Sequence, residues 1–409
     1  MGMIGIALLA LLGHYGVKFA KASAIPYRAP RQPCTTFNVQ VPITARQHLY
    51  DVVPVNNNID AIHFAQDIDT WDSPSMVERI TQNITISRTY DIHAQLCVSA
   101  DGKKKNLLQI ATHGGGFDSR YWEVMLQPDQ HSYVRAALAA GYSILTYDRI
   151  GTGQSSKPDA YTDIQLPAHI EVLRVLRVLT EMVRNGTIAS IASSWSCSGS
   201  ASMHFDKIIH VGHSVGSITT YGLLSSYPTL SDAAVLTGFL VSKEVFDGRQ
   251  TAGDLQYAPQ NDPYLFADSS SGYAIPGTSG ALQTGFFSSS VNTTTHIGGF
   301  EPEFLDYAYA IRQPQPVVEF GSGIVLYAEH STAPLFTGPV QLLVGEFDFI
   351  VCLGDCKNTY NTTQANEMFP KARNFEIHLQ QGGGHGLPFH NNATMGFQAQ
   401  FDWLARNGF

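Results

Sequence analysis

Residues 212–216 read Gly-His-Ser-Val-Gly. They follow the apolar run 207–211 and precede a stretch with helical spacing, so Ser214 falls on a tight strand-to-helix turn. Glycine on both sides relieves the collisions that side chains would meet there. The turn lifts the Ser214 hydroxyl above a sheet at a helix N-terminus, and the chemistry it suits is attack on an acyl carbon. A serine hydroxyl is a weak nucleophile at neutral pH and needs a base within hydrogen-bond reach. Of the fifteen histidines, His385 fits best: it sits in Gly-Gly-Gly-His-Gly-Leu, 382–387, between an apolar strand and the last helix. His213 is expected to pack beside the turn, and His204, His210 and His390 have no informative context. The base needs an acid to hold its tautomer. Asp348 follows the apolar run 340–344, with Glu346 and Asp247 as rivals. An oxyanion formed at Ser214 needs preorganised N–H donors. Val215 supplies one, and the His-Gly-Gly-Gly run 113–116 supplies another from Gly115 or Gly116. The bland alternatives are an idle serine in a glycine-rich turn, a loop histidine and a flexible glycine connector.

The elements around these residues alternate. Apolar strands are expected at 107–112, 142–147, 207–211, 233–240, 339–344 and 374–379, and helices at 133–140, 167–184, from 215, and at 395–405. Two strands joined by a turn are expected between 80 and 102. Strands alternating with helices imply a mostly parallel sheet covered on both faces. Residues 25–79, with scattered prolines, read as an irregular lead-in. The core then spans 80–242 and 335–409, interrupted by an inserted cap at 243–334 that is rich in Ser, Thr and Gly with one short helix near 303–311. Thirteen of those 92 residues are Phe or Tyr, among them Phe246, Tyr264, Phe286 and Phe304. They could line an apolar pocket or form the core of the cap.

Composition bounds the function. Of 409 residues, 44% are hydrophobic and 14% charged, so a large core can be buried and disorder is excluded as the main state. The net charge is −9 and the longest basic run is Lys103 to Lys105, which argues against nucleic-acid binding. The apolar run 3–13 is too short to span a bilayer and has the length of a secretory h-region, with Ala-Ser-Ala at 22–24 as a cleavage pattern. A signal peptide over 1–24 and export are therefore expected, with no stable membrane insertion; an uncleaved membrane anchor and a buried apolar N-terminus are the alternatives. Five sequons, at Asn83, Asn185, Asn292, Asn361 and Asn392, agree with that route. The five cysteines are Cys34, Cys97, Cys197, Cys352 and Cys356. Cys352 and Cys356 are placed to close a small ring; the pairing of the other three stays open, with Cys34 to Cys97 one possibility. No metal site is expected, because the clustered partners that zinc requires are not visible.

The pattern resembles the α/β-hydrolase family in its serine-nucleophile, esterase- and lipase-like branch. The turn at 212–216, the His-Gly run at 113–116, the segment Tyr-Asp-Arg-Ile-Gly-Thr-Gly-Gln-Ser at 147–155, Asp348 and His385 match family motifs in family order. The resemblance implies an α/β-hydrolase fold, a structural role for 148–155 beside the site, and a cap where 243–334 falls. The lead-in and secretory features are similar to those of secreted hydrolases of filamentous fungi. Members with an aspartate nucleophile, the epoxide hydrolases and dehalogenases, are argued down by Ser214. Gly116 stands where prolyl aminopeptidase-like members carry proline.

The expected function is a secreted glycoprotein that cleaves small carboxylic esters, apolar or aromatic, through an acyl-enzyme and without a cofactor. Lactone and thioester cleavage stay open. A tailoring hydrolase, acyltransferase or cyclase of secondary metabolism could use the same site. A non-catalytic binding protein on this scaffold fits less well, since every catalytic position is filled.

Overall fold

The computed structural model describes residues 34–70, 72–99, 104, 106–184, 205–239, 253–287, 299–362 and 364–409. The expected signal peptide at 1–24, Asn185, Asn292, Cys197, His204, Phe246 and Asp247 lie outside the described residues.

Eleven strands are described: β1 Cys34–Tyr50, β2 Ile80–Cys97, β3 Leu107–Thr112, β4 Ser143–Tyr147, β5 Lys207–His213, β6 Ala233–Thr237, β7 Leu255–Tyr257, β8 Tyr273–Pro276, β9 Gln315–Pro316, β10 Val340–Gly345 and β11 Phe375–Gln380. Eight form one sheet in the order β1-β2-β4-β3-β5-β6-β10-β11. The first two pairings, β1 with β2 and β2 with β4, are antiparallel, and every pairing from β4 onward is parallel. This is the mostly parallel mixed sheet of an α/β-hydrolase fold. The strand period of two divides each strand between the faces. Ala234 and Leu236 of β6 pack with Leu166, Ile170 and Ile218, whereas Ala233 and Val235 pack with Val134, Phe401 and Trp403. Helices Leu166–Arg184 and Val215–Ser226 thus cover one face, and Tyr133–Ala139 and Ala393–Arg406 the other.

Two expectations need correction. The lead-in is not irregular: within 25–79 lie the 17-residue strand β1 and the helix Asn58–Asp69. The signal in β1 is alternation, with Val39, Val41, Ile43 and Ala45 buried between exposed polar neighbours. Pro42 interrupts that pattern, but it is tolerated because β1 is an edge strand and needs no ladder donor on its outer side. The two strands expected between 80 and 102 are one continuous strand, β2, paired along its whole length with β1.

The described part of the insertion also holds more secondary structure than its composition suggests. β7, β8 and β9 form a small antiparallel sheet. Tyr273 and Ile275 of β8 join the main core. The helix Val317–Glu329, unforeseen in the sequence, packs against helices Leu166–Arg184 and Val215–Ser226. Gly321 and Gly323 and the β-branched Val317 and Val318 lower its intrinsic helix preference, and burial overrides them. No helix among the described residues is long and apolar enough to cross a membrane.

Candidate active site

The loops that leave the carboxyl ends of the parallel strands carry the candidate residues, the side of such a sheet where ligands bind. Ser214 has φ 54° and ψ −120° and caps the helix Val215–Ser226. This strained conformation is imposed by packing. A Cβ on Gly212 would lie 2.6 Å from Gly216 O, and one on Gly216 would strike Thr112 O at the end of β3 and lie 2.6 Å from His113 O. Glycine at both positions therefore locks the turn against the His-Gly run. A Cβ on Gly114 would lie 2.9 Å from Ser214 Cβ, so that run passes directly beside the serine.

Asp348 and His385 meet. His385 Nδ1 donates to Asp348 Oδ2 at 2.6 Å, with both side chains buried. The other carboxylate oxygen accepts Val351 N–H at 3.0 Å, which holds the group in place. Glu346, the near rival, instead accepts Gly382 N–H at 2.9 Å. Ser214 and His385 come to one corner of the fold. Ser214 N–H donates to Thr237 O at 2.9 Å, and the next residue, Gly238 at φ +52°, would carry a Cβ only 2.9 Å from His385 Cε1. Ser214 Oγ makes no hydrogen bond among the described residues, to His385 or to any other group. Catalytic hydrogen bonds often tighten only when substrate is bound. The N–H groups of Gly115, Gly116 and Val215 likewise meet no protein acceptor among the described residues.

Other histidines have defined places. His213 stacks on Tyr121 at 4.2 Å between centroids and its Nδ1 meets Thr237 Oγ1 at 3.0 Å. Burial, with His385 and His113 nearby, holds its pKa well below the usual range. His390 has a task that its sequence context hides. Its Nε2 accepts Gly384 N–H at 3.0 Å and its Nδ1 donates to Gly386 O at 3.0 Å, so it clamps the turn that carries His385. Burial lowers its pKa to about 4, which keeps the ring neutral and able to accept. Both partners are backbone groups, so no residue pattern could have announced the clamp.

The segment 148–155 is structural, as the resemblance implied. The Asp148 carboxylate accepts Ser119 N–H at 3.0 Å and Gln154 N–H at 2.8 Å, and ties two site loops together. The aromatics of the insertion divide. Phe266, Tyr273, Phe287 and Phe304 are core residues, and Tyr264 is 96% exposed. Phe286 faces the site, its ring 5.3 Å from His385 and 5.1 Å from Phe117. Pro276 joins it beside Gly116.

Both disulfides contemplated in the sequence form, Cys34 to Cys97 and Cys352 to Cys356. Of the sequons described, Asn83 and Asn361 are exposed. Asn392 is a correction: it is 7% exposed, its Oδ1 accepts from Gln380 and its Nδ2 donates to Gln381 O at 2.6 Å. A glycan on that nitrogen would have to displace the bond to Gln381 O.

Comparison with known proteins gives a family. The sequence profile of the Alpha/beta hydrolase family matches residues 110–395. No curated protein matches the chain. Among solved structures, the chain is similar to a thermophilic esterase from Thermogutta terrifontis at 16% identity, covering 78% of this chain and 95% of that one, with a TM-score of 0.48. It is similar to a bromoperoxidase from Bacillus anthracis at 18% identity, with 78% and 95% covered and a TM-score of 0.48. A third is epoxide hydrolase A from Mycobacterium thermoresistibile, at 15% identity with 77% and 95% covered and a TM-score of 0.47.

Proposed function

Since the chain belongs to the Alpha/beta hydrolase family, we propose that it is a serine hydrolase that cleaves small carboxylic esters through an acyl-enzyme. The observation that carries this reading is the buried 2.6 Å bond between Asp348 and His385 beside a strained Ser214. In the reaction, Ser214 Oγ attacks the ester carbonyl carbon as its proton passes to His385 Nε2. Asp348 accepts from Nδ1, which leaves Nε2 as the basic nitrogen and stabilises the imidazolium. The oxyanion takes N–H donors from Val215 and from the 113–116 run. The tetrahedral species collapses, the C–O bond to the alcohol breaks and His385 returns the proton to the leaving oxygen. Water then attacks the acyl carbon, gives its proton to His385, and the carboxylic acid leaves as Ser214 Oγ recovers it.

Phe286, Phe117 and Pro276 beside the site support an apolar or aromatic acyl group. Export is part of the proposal. Two disulfides and the exposed sequons Asn83 and Asn361 suit an oxidising, glycosylating route. The test is Ser214→Ala. Hydrolysis of a short p-nitrophenyl ester and labelling by a fluorophosphonate should both vanish while thermal unfolding stays that of the parent. Turnover that survives the substitution would remove Ser214 from the mechanism.

A further inference from the structure

Arg149 and Glu319 are fully buried, and Glu319 is supplied from helix Val317–Glu329, within the insertion. Both guanidinium Nη atoms meet the Glu319 carboxylate, Nη1 at Oε1 and Nη2 at Oε2, the latter at 3.3 Å. His169 Nε2 lies 2.6 Å from the same Oε1 and 3.2 Å from Arg149 Nη1. A cation so deeply buried needs its anion, so Glu319 fixes where the guanidinium sits.

That guanidinium has a second task. Arg149 Nη2 donates to Gly114 O at 3.2 Å. His113 Nδ1 donates to the same oxygen at 2.8 Å, while its Nε2 accepts the backbone N–H of Arg149 at 3.0 Å. The Gly114 carbonyl therefore cannot turn without breaking two bonds. In a planar trans peptide the N–H of Gly115 points opposite to the Gly114 C=O. It is thus aimed away from Arg149 and His113, toward the side where it meets no protein acceptor. A carbonyl that accepts from a cation also polarises its peptide and strengthens the N–H as a donor. Gly116 lacks this anchor: Gly115 O, which shares its peptide plane, accepts no bond among the described residues. Gly116 O accepts Gln313 N–H at 2.8 Å, which orients the following N–H of Phe117 instead.

We infer that Arg149, locked by Glu319, is a positioning residue that aims the Gly115 N–H as an oxyanion donor. The inference rests on the acyl-transfer reading above and chooses between the two glycines that the sequence left open.

The test replaces the pair together, Arg149→Met with Glu319→Met, because removing one partner alone strands a buried charge while removing both is often tolerated. Four quantities are read with the full chain: kcat and KM on a p-nitrophenyl ester, inhibition by an alkyl trifluoromethyl ketone that adds Ser214 to form an oxyanion, and inhibition by the matching methyl ketone. Loss of a well-aimed donor should lower kcat by roughly tenfold or more, short of the 100- to 1000-fold seen when such a donor is deleted. Affinity for the trifluoromethyl ketone should fall by a similar factor. KM and the methyl ketone should hardly move, a split that a general loosening of the fold would not give. If the paired variant does not fold, Arg149→Lys is read instead: its single ammonium cannot span Glu319 and Gly114 O as the fork does, so the same split is expected. Parent-like kcat and ketone affinity in a folded variant overturn the inference. Ser214→Ala in the same assay separates the two ideas: turnover there defeats the acyl-enzyme reading itself, whereas an inactive Ser214→Ala beside fully active Arg149 variants defeats only the positioning role.

Discussion

Two acids stand two positions apart after β10, and a single proton donor tells them apart. His385 Nδ1 gives its bond to Asp348, while Glu346 is occupied by Gly382 N–H. Asp348→Asn should lower kcat by about 10,000-fold, because an amide can donate to Nδ1 and turn the ring to the wrong tautomer. Glu346→Gln keeps an oxygen for Gly382 and should leave kcat close to the parent value. Steady-state kinetics on one ester measures both; equal losses would mean that the two acids share the orienting role. His390 belongs to the same scale. It holds the turn at 384–386 through two backbone bonds and so fixes where His385 sits.

Two cross-links act on different elements and should separate in experiment. Cys34 to Cys97 ties the directly opposed ends of β1 and β2 across 63 positions, at the sheet edge remote in order from β10. Cys352 to Cys356 closes a short ring immediately after Asp348, and Cys356 N–H donates to Glu346 O at 3.2 Å. Loop-closure entropy assigns about 4 kcal/mol to the long loop and about 2 kcal/mol to the short one. Replacing Cys34 and Cys97 by serine should therefore lower the denaturant midpoint more, with kcat retained. Replacing Cys352 and Cys356 should cost less stability and lower kcat, since it frees the segment that carries Asp348. The reverse pattern would show that the small ring is not what holds the acid. These elements also show why the sequence was only partly legible. The strands that lead to Ser214, Asp348 and His385 are short, apolar and flanked by glycine, so local pattern was enough to find them. β1 was hidden by Pro42 and by a polar outer face, both of which only make sense once β1 is known to be an edge. Glu319 was hidden more deeply: a glutamate in a weak helical stretch acquires meaning only when tertiary packing sets it against Arg149, 170 positions earlier.

At the scale of the molecule, the site is built within a set of buried neutral imidazoles, and this ties its integrity to pH. Burial lowers the pKa of His210 to about 3 and of His390 to about 4, and it lowers His113, His169 and His213 as well. In the unfolded chain these rings titrate near 6.5. Between about pH 6.5 and 4 the unfolded state binds protons that the native state refuses, so unfolding takes up protons and stability falls as the pH falls. Glu319 extends the effect: burial alone would raise its carboxyl, but Arg149 and His169 overcome it and hold it at about 2, so its contribution is present above about pH 4.5 and is lost as the pH drops toward 2. Each buried ring should steepen the loss by about 1.4 kcal/mol per pH unit inside its window. His210 is the cleanest probe, because it sits in β5 against Ser231, at 2.9 Å, rather than in the proposed relay. Urea unfolding from pH 6 to 4.5 should give a free energy that falls with decreasing pH, and His210→Asn should make that fall shallower by about 1.4 kcal/mol per unit while ester turnover at pH 7 is kept. If the slope is the same with and without His210, that ring titrates alike in both states, and burial of the histidines around the sheet does not set the acid limit of the fold.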